Sequence, residues 1–435
     1  MRCEHRAPLL ALLALLAVGC KKDGDAEPPR ITISAPASGE VVTVPDTLVV
    51  EATVTDNTRI EQVTFSVLDG QGMPVTPSFT VEPGGTSANL VVELPITSDL
   101  VLSGTHEVKV VASDGEGRGT ASRLIEVNGR PRRTRAIHIV GSTGFSPVQV
   151  YRIDSTGQLS PGPLVTLNHD IAPAAISSKA RRLYVGGGIT GPLTALFPDD
   201  GSITAEVPSQ NILPIPFHTA LAVGGSGMLF AASNDGALRR YGTDLNGTGY
   251  SAQALSEHRI SGILELDNAV VTTQSRYVGP VGHRVVRYSS TAGVEQGAWP
   301  LDQTPVALHP RDQDHVLLFG NRNGQGVIED RDIVDGGAWE PRTFTSPILA
   351  VARIDANTYL VSLAGSLQRF NYANATALTL ATGTAYEVLA FDEVNGVLIG
   401  AESGQVSFID PATGNVTGGL TAPIAVTALL PLYSR

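Results

Sequence analysis

Ala136-Ile137-His138-Ile139-Val140 is the first of seven related apolar stretches. Leu183-Tyr184-Val185-Gly186, Met228-Leu229-Phe230-Ala231, Val270-Val271-Thr272, Val316-Leu317-Leu318-Phe319, Tyr359-Leu360-Val361 and Val397-Leu398-Ile399-Gly400 follow it. The interval averages about 43 residues, a period that belongs to repeat architectures. A second type of stretch trails each of the first and often ends on an aromatic: Tyr151, Phe197, Tyr241, Tyr288, Phe370 and Phe408-Ile409. A third, alanine-rich type precedes the next unit, at Ala172 to Ile176, Thr219 to Val223, Pro305 to Leu308, Ile348 to Ala352, Val388 to Phe391 and Val426 to Leu430. With a weak polar fourth strand between the second and third types, each unit holds four short strands. Seven such units predict a seven-bladed β-propeller over residues 136–435.

The phase of the repeat adds a closure. The ring begins on a second strand at Ile137 and ends on an inner strand, Ala425 to Pro431. The C-terminal strand is therefore expected to complete the blade opened by residues 136–167, which leaves the ring without two free sheet edges.

Upstream, residues 30–128 alternate with period two. Leu48, Val50, Ala52 and Val54 form one stripe, Val63, Phe65 and Val67 a second, and Val108, Val110 and Ala112 a third. Turn clusters at Pro36 to Gly39, Asp56-Asn57, Asp69-Gly70, Pro83-Gly84-Gly85 and Asp114-Gly115 separate about seven strands. An all-β chain results, an immunoglobulin-like sandwich followed by the propeller. Residues 129–135 (GRPRRTR) read as a linker, whose basic character admits docking to an anionic partner or plain solvation.

Three resemblances refine this. ITISAPASGEVV (31–42), VEATVTDNTRIEQVTFSVLDGQG (50–72) and HEVKVVASDGEG (106–117) resemble bacterial Ig-like domains of exported proteins, without their antibody relatives' cysteine pair or tryptophan. That resemblance implies a spacer or adhesive module. GQVSFIDPATGNV (404–416) resembles the YVTN and quinoprotein-like propeller families. Other units depart from it: Leu183-Tyr184-Val185-Gly186 lacks the family's asparagine, and Gly324 to Ile333 is irregular. No WD dipeptide occurs, and the ring has only Trp299 and Trp339 where quinoprotein enzymes would carry a docking tryptophan in each blade. Finally, Arg2 and Arg6, the apolar run from Leu9 to Leu16, and Leu16-Ala17-Val18-Gly19-Cys20 resemble a bacterial lipoprotein signal peptide with its lipobox. The run is too short to cross a bilayer, which takes roughly 20 residues. The resemblance implies cleavage of residues 1–19, lipidation (palmitate) at Cys20, a tether over 20–29, and, from Lys21, an outer-membrane address in the cell envelope.

Cys3 and Cys20 are the two cysteines. With one cleaved and one acylated, thiol catalysis, disulfides and cysteine-held metals are excluded. A formal charge of −12 disfavours nucleic acid. No cofactor is expected, because no P-loop, dinucleotide fingerprint, nucleophile elbow or zinc-type histidine spacing occurs among the nine histidines. Asp56, Asp114 and Glu116 share turns at one end of the sandwich, where calcium would need several oxygen ligands, although Asp and Gly are also ordinary turn residues.

The phase of the repeat gathers His169, Asp170, His258, Arg259, Arg276, Tyr277, Asn321, Arg322 and Glu402 into the loops of one propeller face. Arg and Tyr are common interface anchors, but the same residues also serve as solvated loop positions. The leading expectation is a non-enzymatic, lipid-anchored binding or scaffold module that presents a propeller face to an envelope protein or glycan. The alternative is a hydrolase, by resemblance to YVTN-like lactonases, with His169, His258, Arg259 and Glu402 converging at the channel.

Overall fold

The computed structural model describes residues 27–144, 147–170, 173–189, 191–209 and 217–435. Cys20 and the rest of 1–26, with the proposed signal and most of the tether, lie outside the described residues. Every regular element described is a β-strand. The chain divides into two compact units, 1–131 and 132–435.

The first unit is a sandwich of a three-stranded sheet, Arg30–Ala35, Asp46–Thr55 and Ser87–Ile96, and a five-stranded one built on Gln62–Leu68, Gly104–Ser113 and Arg118–Asn128. The three predicted stripes are its core, with Val50, Val54, Val63, Phe65, Val67, Val108, Val110 and Ala112 fully buried. Their polar neighbours point to solvent, as a sheet with one wet face requires.

The second unit is a ring of seven four-stranded sheets. Blade 2 shows the pattern: inner strand Ala174–Ser177, then Arg182–Gly186, Leu193–Leu196 and outer strand Ile203–Val207. Blade 3 runs from His218–Val223 to Gly247–Gln253, blade 4 from His258–Glu265 to Glu295–Leu301, and blade 5 from Thr304–Pro310 to Ala338–Thr343. Blade 6 runs from Ile348–Arg353 to Thr376–Thr382, and blade 7 from Val388–Asp392 to Val416–Thr421. Blade 1 is the closure: Ala425–Tyr433 supplies the inner strand against Thr134–Ser142, followed by Val148–Asp154 and Val165–Leu167. The expected C-terminal latch is thus present.

The core explains why the second strands read as continuous apolar runs rather than alternating ones. Each blade is covered on both faces by a neighbour, so both sides of a strand are buried. Seven hydrophobic clusters fill the seven blade junctions. One joins Ile399 and Ala401 of blade 7 to Ile137, Ile139 and Leu429 of blade 1. Another joins Leu317, Phe319 and Ile328 of blade 5 to Tyr359, Val361 and Phe370 of blade 6.

Two elements differ from the sequence reading. Gln325–Asp332, inside the stretch read as irregular, is a regular third strand. Its charges are tolerated because Arg331 bonds buried Glu329 at 2.7 Å and also donates to the Gly336 and Pro300 carbonyls. Blade 4 has an inner strand, His258–Glu265, which the alanine-rich pattern did not pick out. His258 and Arg259 open that strand rather than sit in a loop.

In the connector, Arg130 pairs with Asp99 at 2.8 Å within the first unit. Arg132 pairs with Glu393 at 2.6 Å and Arg135 with Asp199 at 3.2 Å within the second. Three of its arginines are therefore tied down rather than held out for a distant anion.

Candidate functional site

Antiparallel order inside each blade sorts the connections onto two faces. First-to-second and third-to-fourth turns fall on one, termed here the regular face. Second-to-third turns and blade-to-blade crossings fall on the other, the variable face. On the regular face the third-to-fourth turn repeats. Gly201, Gly293, Gly336 and Gly414 each donate their N–H to the carbonyl four residues back, at positive φ of 74°, 70°, 80° and 76°. On the variable face the segment 277–282 of blade 4 is long, whereas blades 5, 6 and 7 turn at 323–324, 364–365 and 403–404.

All nine candidate residues belong to the variable face, but Arg276, Asn321, Arg322 and Glu402 end second strands rather than sit in loops, and the nine lie on several blades. The tightest group is in blade 4. His258 is the register partner of Arg276, and the Arg259 guanidinium stacks 5.0 Å from the Tyr277 ring centroid. Arg276 donates to Glu257 at 2.7 and 3.2 Å, and His258 Nδ1 lies 2.9 Å from the Ser256 carbonyl. The hairpin beyond carries Tyr277, Val278 and Val281 outward, the last 79% exposed.

The other candidates are occupied by structural work. Asn321 clamps blade 5 to blade 6: its side chain donates to the Ile348 carbonyl at 2.9 Å and accepts the Ile348 N–H at 2.7 Å. Arg322 makes a bidentate pair with Glu340 and bonds Asp302 at 2.7 Å. His169 is buried beside Thr194, with Nε2 at 3.3 Å, and burial pushes its pKa down. The Asp170 carboxylate accepts the Ile189 N–H, and Glu402 accepts the Ala385 N–H at 3.3 Å. Among the described residues no hydrogen bond joins His169, the His258–Arg259 pair and Glu402 to one another, which an acid–base set would need.

Two cavities sit at this face. One of about 210 Å³ between blades 2 and 3 is lined by His218, Ser233, Arg239 and Tyr241. It is not a nucleophile relay. Ser233 donates to Asp235 at 2.6 Å and accepts from Arg239 at 2.9 Å, while His218 Nδ1 lies 2.9 Å from the Gly187 carbonyl. The other, of about 430 Å³, opens at the end of blade 4 and brings His283, Arg284 and Trp299 beside His258 and Arg276. Sequence reading missed the first three because each comes from a different position on strands three and four, with no local motif to join them.

The calcium candidates lie at one end of the sandwich, but their carboxylates cap turns. Asp56 Oδ1 accepts the Thr58 and Arg59 N–H groups, and Asp114 Oδ1 accepts those of Glu116 and Gly117. Among the described residues no group of three or more His, Cys, Asp or Glu is gathered to hold a metal.

Residues 29–110 match the model of a bacterial Ig domain, which stops short of the last strand of the sandwich. No curated protein matches the chain. Among solved structures, a 6-phosphogluconolactonase-like protein from Bacteroides fragilis aligns at 13% identity and TM-score 0.51, over 69% of this chain and 98% of that one. A quinoprotein alcohol dehydrogenase-like protein from Bacteroides thetaiotaomicron aligns at 10% identity and TM-score 0.44, over 94% and 97%. The Cps50 (Swd1) propeller domain from Myceliophthora thermophila aligns at 11% identity and TM-score 0.47, over 60% and 92%. At these identities the likeness is one of fold. The chain folds as an Ig-like sandwich, most of which matches the bacterial Ig domain model, followed by a β-propeller.

Proposed function

We propose that this chain is a lipid-anchored cell-envelope protein without enzymatic activity, whose Ig domain is a spacer and whose propeller presents its variable face to an envelope protein or glycan. The observation that supports the binding role most is the blade 4 hairpin, where Tyr277, Val278 and Val281 project into solvent above the stacked Arg259. Aromatic and arginine side chains on a rigid rim are the usual anchors of recognition. The anchor rests on the lipobox-like sequence ending at Cys20, since stable attachment needs more than one acyl chain. A lactonase-like reading has only fold likeness behind it, and its four residues are spread over the blade 1 to 2 crossing, blade 4 and blade 7.

Two readouts test this. C20A should release the chain from membranes and abolish palmitate labelling; unchanged labelling refutes the anchor. The released C20A form should sediment with isolated envelope fragments, and adding Y277A and R259S should cut that retention at least fivefold while the melting temperature stays put. Equal retention refutes the face.

A further inference from the structure

We propose that the cavity at the end of blade 4 is a binding site for an acidic sugar, one carrying a carboxylate on a pyranose ring; the inference rests on the binding role proposed for the variable face and names its ligand class. The chain as a whole is acidic, at −12. Yet this cavity of about 430 Å³ is lined by Arg276, Arg284, His258 and His283 and by no carboxylate. A wall of this sign in a chain of the opposite sign selects for an anion.

The guanidiniums are preorganised and still have donors to give. Arg276 spends Nε and Nη2 on Glu257, at 3.2 and 2.7 Å, and Arg284 spends Nη2 on Glu295 at 3.0 Å. Both carboxylates lie outside the lining, so they hold the side chains without filling the cavity. Among the described residues the Nη1 group of each arginine has no hydrogen-bond partner, and Arg284 Nε is buried without one. A planar fork with unused N–H groups is suited to a carboxylate. His283 does not add charge. Burial and the neighbouring His258 lower its pKa, and its two ring nitrogens are engaged by Ser275 Oγ at 2.9 Å and Thr304 Oγ1 at 3.2 Å.

The rest of the wall is flat and apolar: Pro280, Val281, Trp299 and Pro300. An indole beside proline rings offers a surface for the C–H face of a pyranose, and the volume falls in the range of small-ligand pockets. Trp299 also packs against Gly336 of blade 5, where a Cβ would come within 1.9 Å of the indole nitrogen. Carboxylate on the guanidiniums and ring on the indole together specify an acidic monosaccharide unit, free or at the end of a glycan.

The test is titration of the full chain in detergent with D-glucuronate, D-glucose and inorganic phosphate, followed by NMR or calorimetry. Glucuronate is expected to bind at least tenfold more tightly than either of the others. R284Q should lose at least tenfold. Because Arg284 is largely buried and R284Q can disturb packing, Val281 at the exposed rim supplies the second pair: V281D should weaken glucuronate at least threefold and V281K should strengthen it. Glucose bound as tightly as glucuronate, phosphate bound as tightly as glucuronate, or a V281D affinity equal to the parent's would each overturn the proposal. Failure here leaves Tyr277-dependent retention on envelope fragments intact, whereas failure of the variable-face reading abolishes that retention as well.

Discussion

The two faces of the propeller are built by the same seven blades and differ in what they constrain. On the regular face, four blades make the same third-to-fourth turn with a glycine in the left-handed region. Those turns abut the preceding blade: Gly201 lies against Leu164, Gly293 against Ser251 and Gly414 against Leu380, all too close for a Cβ. On the variable face, the described second-to-third connections range from two residues in blades 5 to 7 to six between Arg276 and His283. The difference teaches that the repeat is spent on holding the ring together, and that recognition is left to segments the repeat does not dictate.

The largest expected effect comes from the latch that makes either face possible. Deleting residues 423–435 removes the inner strand of blade 1, and with it Val426 and Leu429 from the junction with blade 7 and Leu430 from the junction with blade 2. Burying side chains of this size stabilises by roughly 1.5–3 kcal/mol each, so the loss is about 5 kcal/mol or more. Thermal unfolding should show the propeller transition lowered by at least 10 °C or absent; a wild-type transition would remove the latch from the account.

A second effect is confined to the regular face and depends on pH. His138 of blade 1 is fully buried, and its Nε2 lies 2.6 Å from the Pro198 carbonyl in the blade 2 turn. Burial is the first cause that lowers its pKa from 6.5 to about 4, and Nδ1 has no partner. With the folded value depressed, the unfolded chain takes up the proton first as pH falls. Stability is therefore full above pH 6.5 and is lost progressively down to pH 4, by about 3 kcal/mol. Melting temperatures from pH 7.5 to 4 check this, and H138Q should flatten the dependence; a slope unchanged by H138Q would rule out His138 as its source.

Smaller still is G414A. The residue has φ +76°, and a Cβ would lie 2.6 Å from the Leu380 Cβ and 2.9 Å from its backbone. A cost of about 1–3 kcal/mol is expected, with ligand binding retained at full occupancy of the fold. Denaturant midpoints measure the cost. A G414A protein that is as stable as the parent would mean that the turn is not part of what holds the blades.

Most of the fold was legible because burial writes itself into sequence in two ways. In the sandwich one face of each strand is wet, so Leu48, Val50, Ala52 and Val54 alternate with polar residues. In the ring both faces are dry, so Leu317, Leu318 and Phe319 run together. The unread parts break these rules for local reasons. His258–Glu265 carries a histidine and an arginine where it opens onto the variable face, and a glutamate at its opposite end. Gln325–Asp332 hides Glu329 and Arg331 by pairing them. The candidate face followed from the phase of the repeat, but its residues did not converge. Asn321 and Arg322 are spent on holding blade 5 in place, and the blade 4 cavity gathers residues from four strands between 258 and 300, which no linear motif can announce.

The account of the two faces is tested most directly by crosslinked affinity capture from intact cells with mass spectrometry, comparing the tagged parent with Y277A/V281D and with G414A. It predicts a reproducible envelope partner or glycan fragment that is lost with the variable-face substitutions and kept with the regular-face one. Equal recovery from the parent and Y277A/V281D, or loss with G414A alone, would contradict it.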